Sequence, residues 1–165
     1  MAMQFPPLTF EQERELLRSE EFDYVKVERF TSWTMYINPN QYHLGRAYLW
    51  LNTRHVDFHP REELTDYEEH ELKVLMKFHR RVVTHLWRPD LIEAVWVGDG
   101  YEKHRGHGHL HLIPRYAMPP KILDFGRPWL VFSDEEFGRN FSVEKERLLE
   151  SRQLEHIRKE FVRRL

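Results

Sequence analysis

The chain reads as an α+β domain built on an antiparallel sheet of about five strands, and three observations predict it. Short segments rich in β-branched and aromatic residues repeat with a period near two. One long segment instead repeats with a helical period between a clear start and a clear stop. Their order is β-β-β-α-β-β, which favours a sheet covered by a helix over a doubly wound parallel sheet.

Each element has its own justification. Thr9 and Gln12 form a capping-box pair, placing a short charged helix at about 9–19 that carries little besides Leu16 and Leu17 to bury. Residues 24–38, YVKVERFTSWTMYIN, near-alternate and are interrupted around Arg29 to Ser32, so they predict two short strands or one bulged strand. NPNQYHLG, 38–45, is a turn or loop by its Asn, Pro and Gly content. Ala47 to Asn52 reads as a largely buried strand. Thr65 and Glu68 form a second capping box, and Leu72, Leu75, Met76, Val82, Val83 and Leu86 follow at helical spacing until Pro89, predicting the main helix at about 66–87. His79 lies on that stripe, where a structural role is expected. Leu91 to Val97 is a strand ending in Gly98-Asp99-Gly100, and His107 to Ile113 is another, ended by Pro114. Beyond Tyr116 the chain is rich in Pro, Gly and aromatics, so irregular structure with one short hairpin is expected. Ser142 can cap a last amphipathic helix at about 143–163, whose basic end suits a helix C-terminus. The organisation is therefore an N-terminal helical extension (1–22), a central domain (23–117) and a C-terminal extension (118–165).

Composition removes several functions. The 165 residues include no cysteine, which excludes disulfides, iron–sulfur clusters, thiol nucleophiles and thiolate zinc sites. A formal net charge of −2 gives no sign of a protein whose main work is neutralising a nucleic-acid backbone, although a local basic pocket is allowed. No secretory signal and no apolar stretch of membrane-spanning length is present, so a soluble, cytoplasmic protein is expected.

Histidine stands out: of eleven, four fall between His104 and His111. On a strand, His107, His109 and His111 share one face while Gly108, Leu110 and Leu112 point into the other layer. Three titratable rings in strict alternation are costly to crowd unless a site uses them. A metal site is one option, but His107 and His111 would have Cα atoms about 13 Å apart on a regular strand, whereas two nitrogens on one zinc sit about 3.4 Å apart. Two of the three could bind one metal with help from elsewhere; all three could not. Phosphoryl chemistry suits the row better. An imidazole near pH 7 attacks phosphorus without a separate base, and a neighbouring imidazole can hydrogen-bond the developing charge.

HGHLHLIPR, residues 107–115, resembles the motif of the histidine triad (HIT) nucleotide hydrolases and transferases, in which three histidines alternate with hydrophobic residues. INPNQYHLGRAYLWLNTRHV, REELTDYEEHELKVLMKFHRRV and WVGDG are similar to the family's strand–loop–strand, long helix and pre-triad turn, so the resemblance spans about residues 24–116. KILDFGRPWLVFSDEEFGRNF resembles the tail of a diadenosine-tetraphosphate-hydrolase-like bacterial branch. The resemblance implies a HIT-like fold, His109 as the nucleophile that becomes nucleotidylated, and His107 and His111 as residues that orient it and contact phosphate. It also implies Asn38 as a ribose contact, although Asn38 equally reads as a turn residue. Arg115 either steers phosphates or marks the strand end.

Three departures from the family pattern bear on substrate choice. Gly108 stands where a hydrophobic residue is usual, and Gly45-Arg46 stands where many members have Gly followed by a supporting histidine. The turn before the triad is about two residues short, with YEKHRG replacing a Gly-Gln-Ser/Thr phosphate loop. There Lys103, His104 and Arg105 either hold a polyphosphate or form a solvated charged loop. The expectation is a hydrolase or transferase acting at the α-phosphate of an adenine-type (di)nucleotide with a phosphoanhydride or phosphoramidate leaving group. Its substrate-binding residues are Asn38, His104, Lys103, Arg115 and Arg46, and it has no metal ligands. No cofactor is required, a divalent cation can assist polyphosphate binding, and the resemblance implies a homodimer. The alternatives are a nucleotide-binding or sensory module with little turnover and, less favoured, a histidine-ligated metalloprotein.

Overall fold

The computed structural model describes residues 25–52, 64–97, 109–117, 121–124, 127–131 and 149–165. The expected N-terminal helix at 9–19, its boundary at 1–22, and the positions of Lys103, His104, Arg105, His107 and Ser142 lie outside the described residues.

Five strands form one antiparallel sheet: β1 (Lys26–Arg29), β2 (Trp33–Ile37), β3 (Ala47–Leu51), β4 (Leu91–Val97) and β5 (His109–Arg115), in the spatial order β1-β2-β3-β5-β4. The fold is α+β, as the sequence predicts. Residues 25–38 resolve into two strands, with a register shift between Lys26 and Glu28 in β1 and a turn closed by Phe30 N–H donating to Trp33 O at 2.8 Å. A separate hairpin pairs β6 (Lys121–Asp124) with β7 (Arg127–Val131), where one short hairpin was expected.

The main helix, α1 (Asp66–Trp87), starts at the predicted capping box: Glu68 N–H donates to the Thr65 hydroxyl oxygen at 3.3 Å, and Thr65 N–H donates to the Glu68 carboxylate at 2.8 Å. Its stripe buries Leu72, Leu75, Phe78, His79, Val82 and Val83 against the sheet residues Trp33, Met35, Ile37, Leu49, Leu51, Leu110 and Leu112. Those sheet residues alternate along β2, β3 and β5, so one face of the sheet is apolar throughout. Two polar links, one buried and one half-buried, fix the helix to the β1–β2 turn and the start of β2. Trp33 Nε1–H donates to Glu68 O at 2.9 Å, and the Glu71 carboxylate accepts from the N–H groups of Ser32 and Trp33 at 2.7 and 3.0 Å.

Two expectations are corrected. Pro114 does not end the triad strand: β5 continues to Arg115, with Pro114 opposite Ile92 of β4. Pairing of β5 with β3 ends at Leu112, so Pro114 has a ladder on one side only and its missing N–H is tolerated. The last helix does not run unbroken from 143, because Leu149 and Glu150 are non-helical; α2 spans Ser151–Val162. Its start is set by Gln153, whose side chain accepts from Glu150 N–H at 2.9 Å. Leu154, Ile157 and Phe161 of α2 join the core, with Phe161 meeting Phe78, His79 and Trp87 of α1 at ring-centroid distances of 6.2, 5.7 and 6.4 Å. The basic end of α2 is satisfied locally, since Arg163 and Arg164 both pair with Glu160 at 2.8 Å.

Candidate active site

The second face of the sheet carries the alternate residues of the same strands. His109 and His111 project from β5 on this face, with ring centroids 4.8 Å apart. Opposite them in register stand Trp50 and Tyr48 of β3. Trp50 is stacked beside His109 with ring centroids 6.1 Å apart and planes at 30°, and the Tyr48 ring centroid lies 5.9 and 5.8 Å from those of His109 and His111. Tyr36 of β2 stacks on Tyr48 at 5.1 Å, so aromatic rings run from β2 across to the histidines. The two imidazoles differ in access. His109 is half-buried, whereas His111 keeps only 7% of its surface.

The loop between β2 and β3 supplies the polar partners of His111. Arg46 Nη2 lies 3.3 Å from His111 Nδ1, and Asn38 Nδ2 lies 3.5 Å from the same nitrogen. Burial, and after it the charges of His109 and Arg46, push the His111 pKa down to about 2, so the ring is neutral at physiological pH. Arg46 is itself 7% exposed, and burial followed by the charge of Arg115 lowers its pKa from the ordinary arginine value. Arg115, at the far end of β5, is buried and held by Glu93 of β4, whose carboxylate accepts from Nε and Nη2 at 3.0 Å each. Its Nη1 approaches His43 Nε2 at 3.4 Å.

The loop is held from several sides. Gln41, fully buried, donates to the carbonyls of Asn38 and Arg46 at 2.6 and 2.8 Å and accepts from Gly45 N–H at 2.8 Å. His79 of α1 donates through Nε2 to Gly45 O at 2.8 Å, and the Tyr116 hydroxyl donates to Leu44 O at 2.6 Å. Burial lowers the His79 pKa to about 4 despite that carbonyl, and raises that of Tyr116. Gly45 has φ +86°, and a Cβ there would meet Trp87 and Val83 of α1 at 2.8 and 2.9 Å. Only glycine suits both the backbone and the space.

Of the sequence-predicted residues, His109, His111, Asn38 and Arg46 come together, while Arg115 is tied to Glu93 on the same face. Asn38 is also a turn residue, because its Oδ1 accepts from Asn40 N–H at 2.9 Å. Sequence reasoning missed Gln41, His43, Glu93 and Tyr116; only the Asn/Pro/Gly-rich composition of 38–45 hinted that its side chains staple a loop. Among the described residues, no group of three or more His, Asp or Glu side chains is placed to hold a metal ion. A cation approaching His111 Nδ1 would also face the Arg46 charge.

No family model matches this sequence, and no curated protein matches it either. Solved structures do match. A histidine triad protein from Bradyrhizobium japonicum aligns with TM-score 0.59 at 9% identity over 88% of this chain and 95% of that one. A HIT-like protein from Bartonella henselae, described as involved in cell-cycle regulation, gives TM-score 0.56 at 12% identity over 86% of each chain. A hypothetical histidine triad nucleotide-binding protein from Sulfolobus tokodaii gives TM-score 0.55 at 15% identity over 85% of this chain and 82% of that one. The chain has the HIT-like fold. Among its described residues, no helix is long and apolar enough to cross a membrane.

Proposed function

We propose that this chain is a histidine triad family nucleotide hydrolase or nucleotidyl transferase that works through a covalent nucleotidyl-His109 intermediate. The observation that carries this reading is the contrast between two adjacent imidazoles, an accessible His109 and a buried, neutral His111 fixed by Arg46 and Asn38. An imidazole nitrogen of His109 attacks the α-phosphorus, an N–P bond forms, and the bond from phosphorus to the leaving group breaks. The leaving group, a phosphoanhydride oxygen or phosphoramidate nitrogen, departs with a proton supplied by solvent or a neighbouring imidazole, and the water that later attacks gives a proton back. Water or phosphate then attacks the same phosphorus, releasing the nucleotide and restoring the imidazole.

The aromatic rings of Tyr36, Tyr48 and Trp50 back this chemistry with an apolar wall. Asn38 Oδ1 keeps a second lone pair for a ribose hydroxyl, and Lys103 and His104 with His107 serve the polyphosphate side. Arg115 is better assigned to the electrostatic background than to substrate, because Glu93 already holds it. The substrate class is an adenine-type dinucleotide or nucleoside phosphoramidate, and the working unit a homodimer. The catalytic step needs no cofactor, although a divalent cation assists binding of a long polyphosphate.

A second reading, a nucleotide-binding module without turnover, draws on Arg46 standing beside the triad. A panel of dinucleoside polyphosphates and nucleoside phosphoramidates, assayed with and without phosphate, separates the two. Mononucleotide release by the wild type, lost in His109→Ala while calorimetric binding persists, supports the enzyme. Binding without release in the wild type supports the module. Unchanged turnover in His109→Ala removes the covalent mechanism.

A further inference from the structure

We infer that Arg46 is a positioning residue that locks His111 in its Nε2–H tautomer, so that His111 offers a proton donor from one fixed nitrogen toward a phosphate beside His109. The donor's use rests on the function proposed above; the tautomer does not. Three observations fix it. The guanidinium of Arg46 has no acceptor, so at 3.3 Å from His111 Nδ1 it can only donate. Asn38 turns its amide nitrogen toward the same Nδ1 at 3.5 Å, and that orientation is not arbitrary, because its Oδ1 is occupied by Asn40 N–H. With donors on both sides, Nδ1 must be bare, and the ring proton sits on Nε2.

The lock is rigid. Arg46 N–H donates to His43 O at 3.0 Å, and its carbonyl accepts from Asn38 N–H at 3.0 Å and from Gln41 Nε2 at 2.8 Å. The side chain is buried, and among the described residues no carboxylate pairs with it and no acceptor meets its Nε. The groups facing His111 on this side of the sheet are its register partners Tyr48 of β3 and Val95 of β4, with His109 and Ile113 flanking it on β5; Trp50, Tyr36, Thr34 and the Arg115–Glu93 pair lie farther along the same face. The polar groups that meet His111 Nδ1 are the donors of Arg46 and Asn38. A buried cation is costly to hold, and here it serves the orientation of one imidazole.

The test is long-range 1H–15N correlation of the histidine rings in the full, unliganded chain, read together with kcat and KM for the wild type, Arg46→Gln and Arg46→Met. The wild type should show the Nε2–H pattern for His111, with no titration between about pH 5 and 8. Arg46→Gln, a neutral donor, should keep that pattern and most of kcat. Arg46→Met, with no donor, should give mixed tautomers and lower kcat by about ten- to a hundredfold, with KM moving much less. A His111 proton on Nδ1 in the wild type overturns the inference, and so does an unchanged tautomer in Arg46→Met. An increase in KM that is equal in Arg46→Gln and Arg46→Met also overturns it, because it would make Arg46 a direct phosphate contact. If Arg46→Met fails to fold, the wild-type tautomer and Arg46→Gln still decide. The ring spectra are independent of turnover, so an inactive protein with the Nε2–H pattern would count against the proposed enzyme and leave the lock standing.

Discussion

The two faces of the sheet are made by alternate residues of the same strands, yet they are stabilised in different ways. The helix-covered face sets Trp33, Met35, Ile37, Leu49, Leu51, Leu110 and Leu112 in one apolar core with α1 and α2. The histidine face buries Thr34, Tyr36, His111 and Arg115, with Arg46 of the adjoining loop beside them, and it holds directional polar pairs: Thr34 donates to Asn52 Oδ1 at 2.6 Å, Arg46 to His111 and Arg115 to Glu93. Apolar packing is redundant and non-directional, whereas a polar pair fails when one partner is removed. Losses on the first face should therefore appear as stability, and losses on the second as changes in chemistry.

The widest separation between the faces is expected from His109→Ala. It removes the proposed nucleophile from a half-buried position, so turnover of any cleaved nucleotide should fall by about 10⁴-fold or more. Its thermal midpoint should stay near that of the wild type, checked by circular dichroism melts beside the activity assay. Phe161→Ala makes the opposite cut. It empties the space between Phe78, His79 and Trp87, and should cost about 3–5 kcal/mol in urea unfolding, with kcat little changed while the protein remains folded.

Gly45→Ala should blur the comparison, because that residue joins the two regions. It combines a φ of +86° with a Cβ 2.8 Å from Trp87 and 2.9 Å from Val83, while its neighbour Arg46 reaches His111. A cost of about 2–4 kcal/mol is expected from backbone strain and overpacking. A fall in kcat should accompany it as the loop shifts. Wild-type kcat in a destabilised Gly45→Ala would show that the loop's position does not control the imidazoles.

The helix-covered face was legible in the sequence because its signals are local. The Thr65–Glu68 box, the stripe from Leu72 to Val83 and the alternation along β2 and β3 each lie within one element. The positions of His109 and His111 on one face followed from strand period alone. Strand period says nothing of the residues around them, since Arg46 lies 65 residues from His111 and His43 lies 72 from Arg115; Arg46 and Asn38 entered through the family resemblance, and His43 did not enter at all. No local pattern says which loop residue meets which strand residue. The same limit explains the two corrected boundaries. Pro114 stops a strand only if both sides are paired, and the start of α2 depended on a Glu150–Gln153 contact that competes with other possible caps.

Acid should sharpen the comparison further, since each face buries a histidine. His79 and His111 have folded pKa values of about 4 and about 2, both below the ordinary histidine value of 6.5. The unfolded chain therefore binds more protons than the folded one in the window below about pH 6.5. Stability is complete above that value and falls as the pH drops toward each folded pKa. At pH 5.5 each ring should cost about 1.4 kcal/mol relative to neutral pH. His79→Gln can still donate to Gly45 O but cannot take up the proton, so it removes one of these contributions. Urea unfolding at pH 7.5 and pH 5.5 should show the gap between variant and wild type shifting by about 1.4 kcal/mol in favour of the variant as the pH falls. Parallel losses in the two proteins would mean that His79 takes up its proton without unfolding. The ring between α1 and α2 would then be more open to water than its full burial implies.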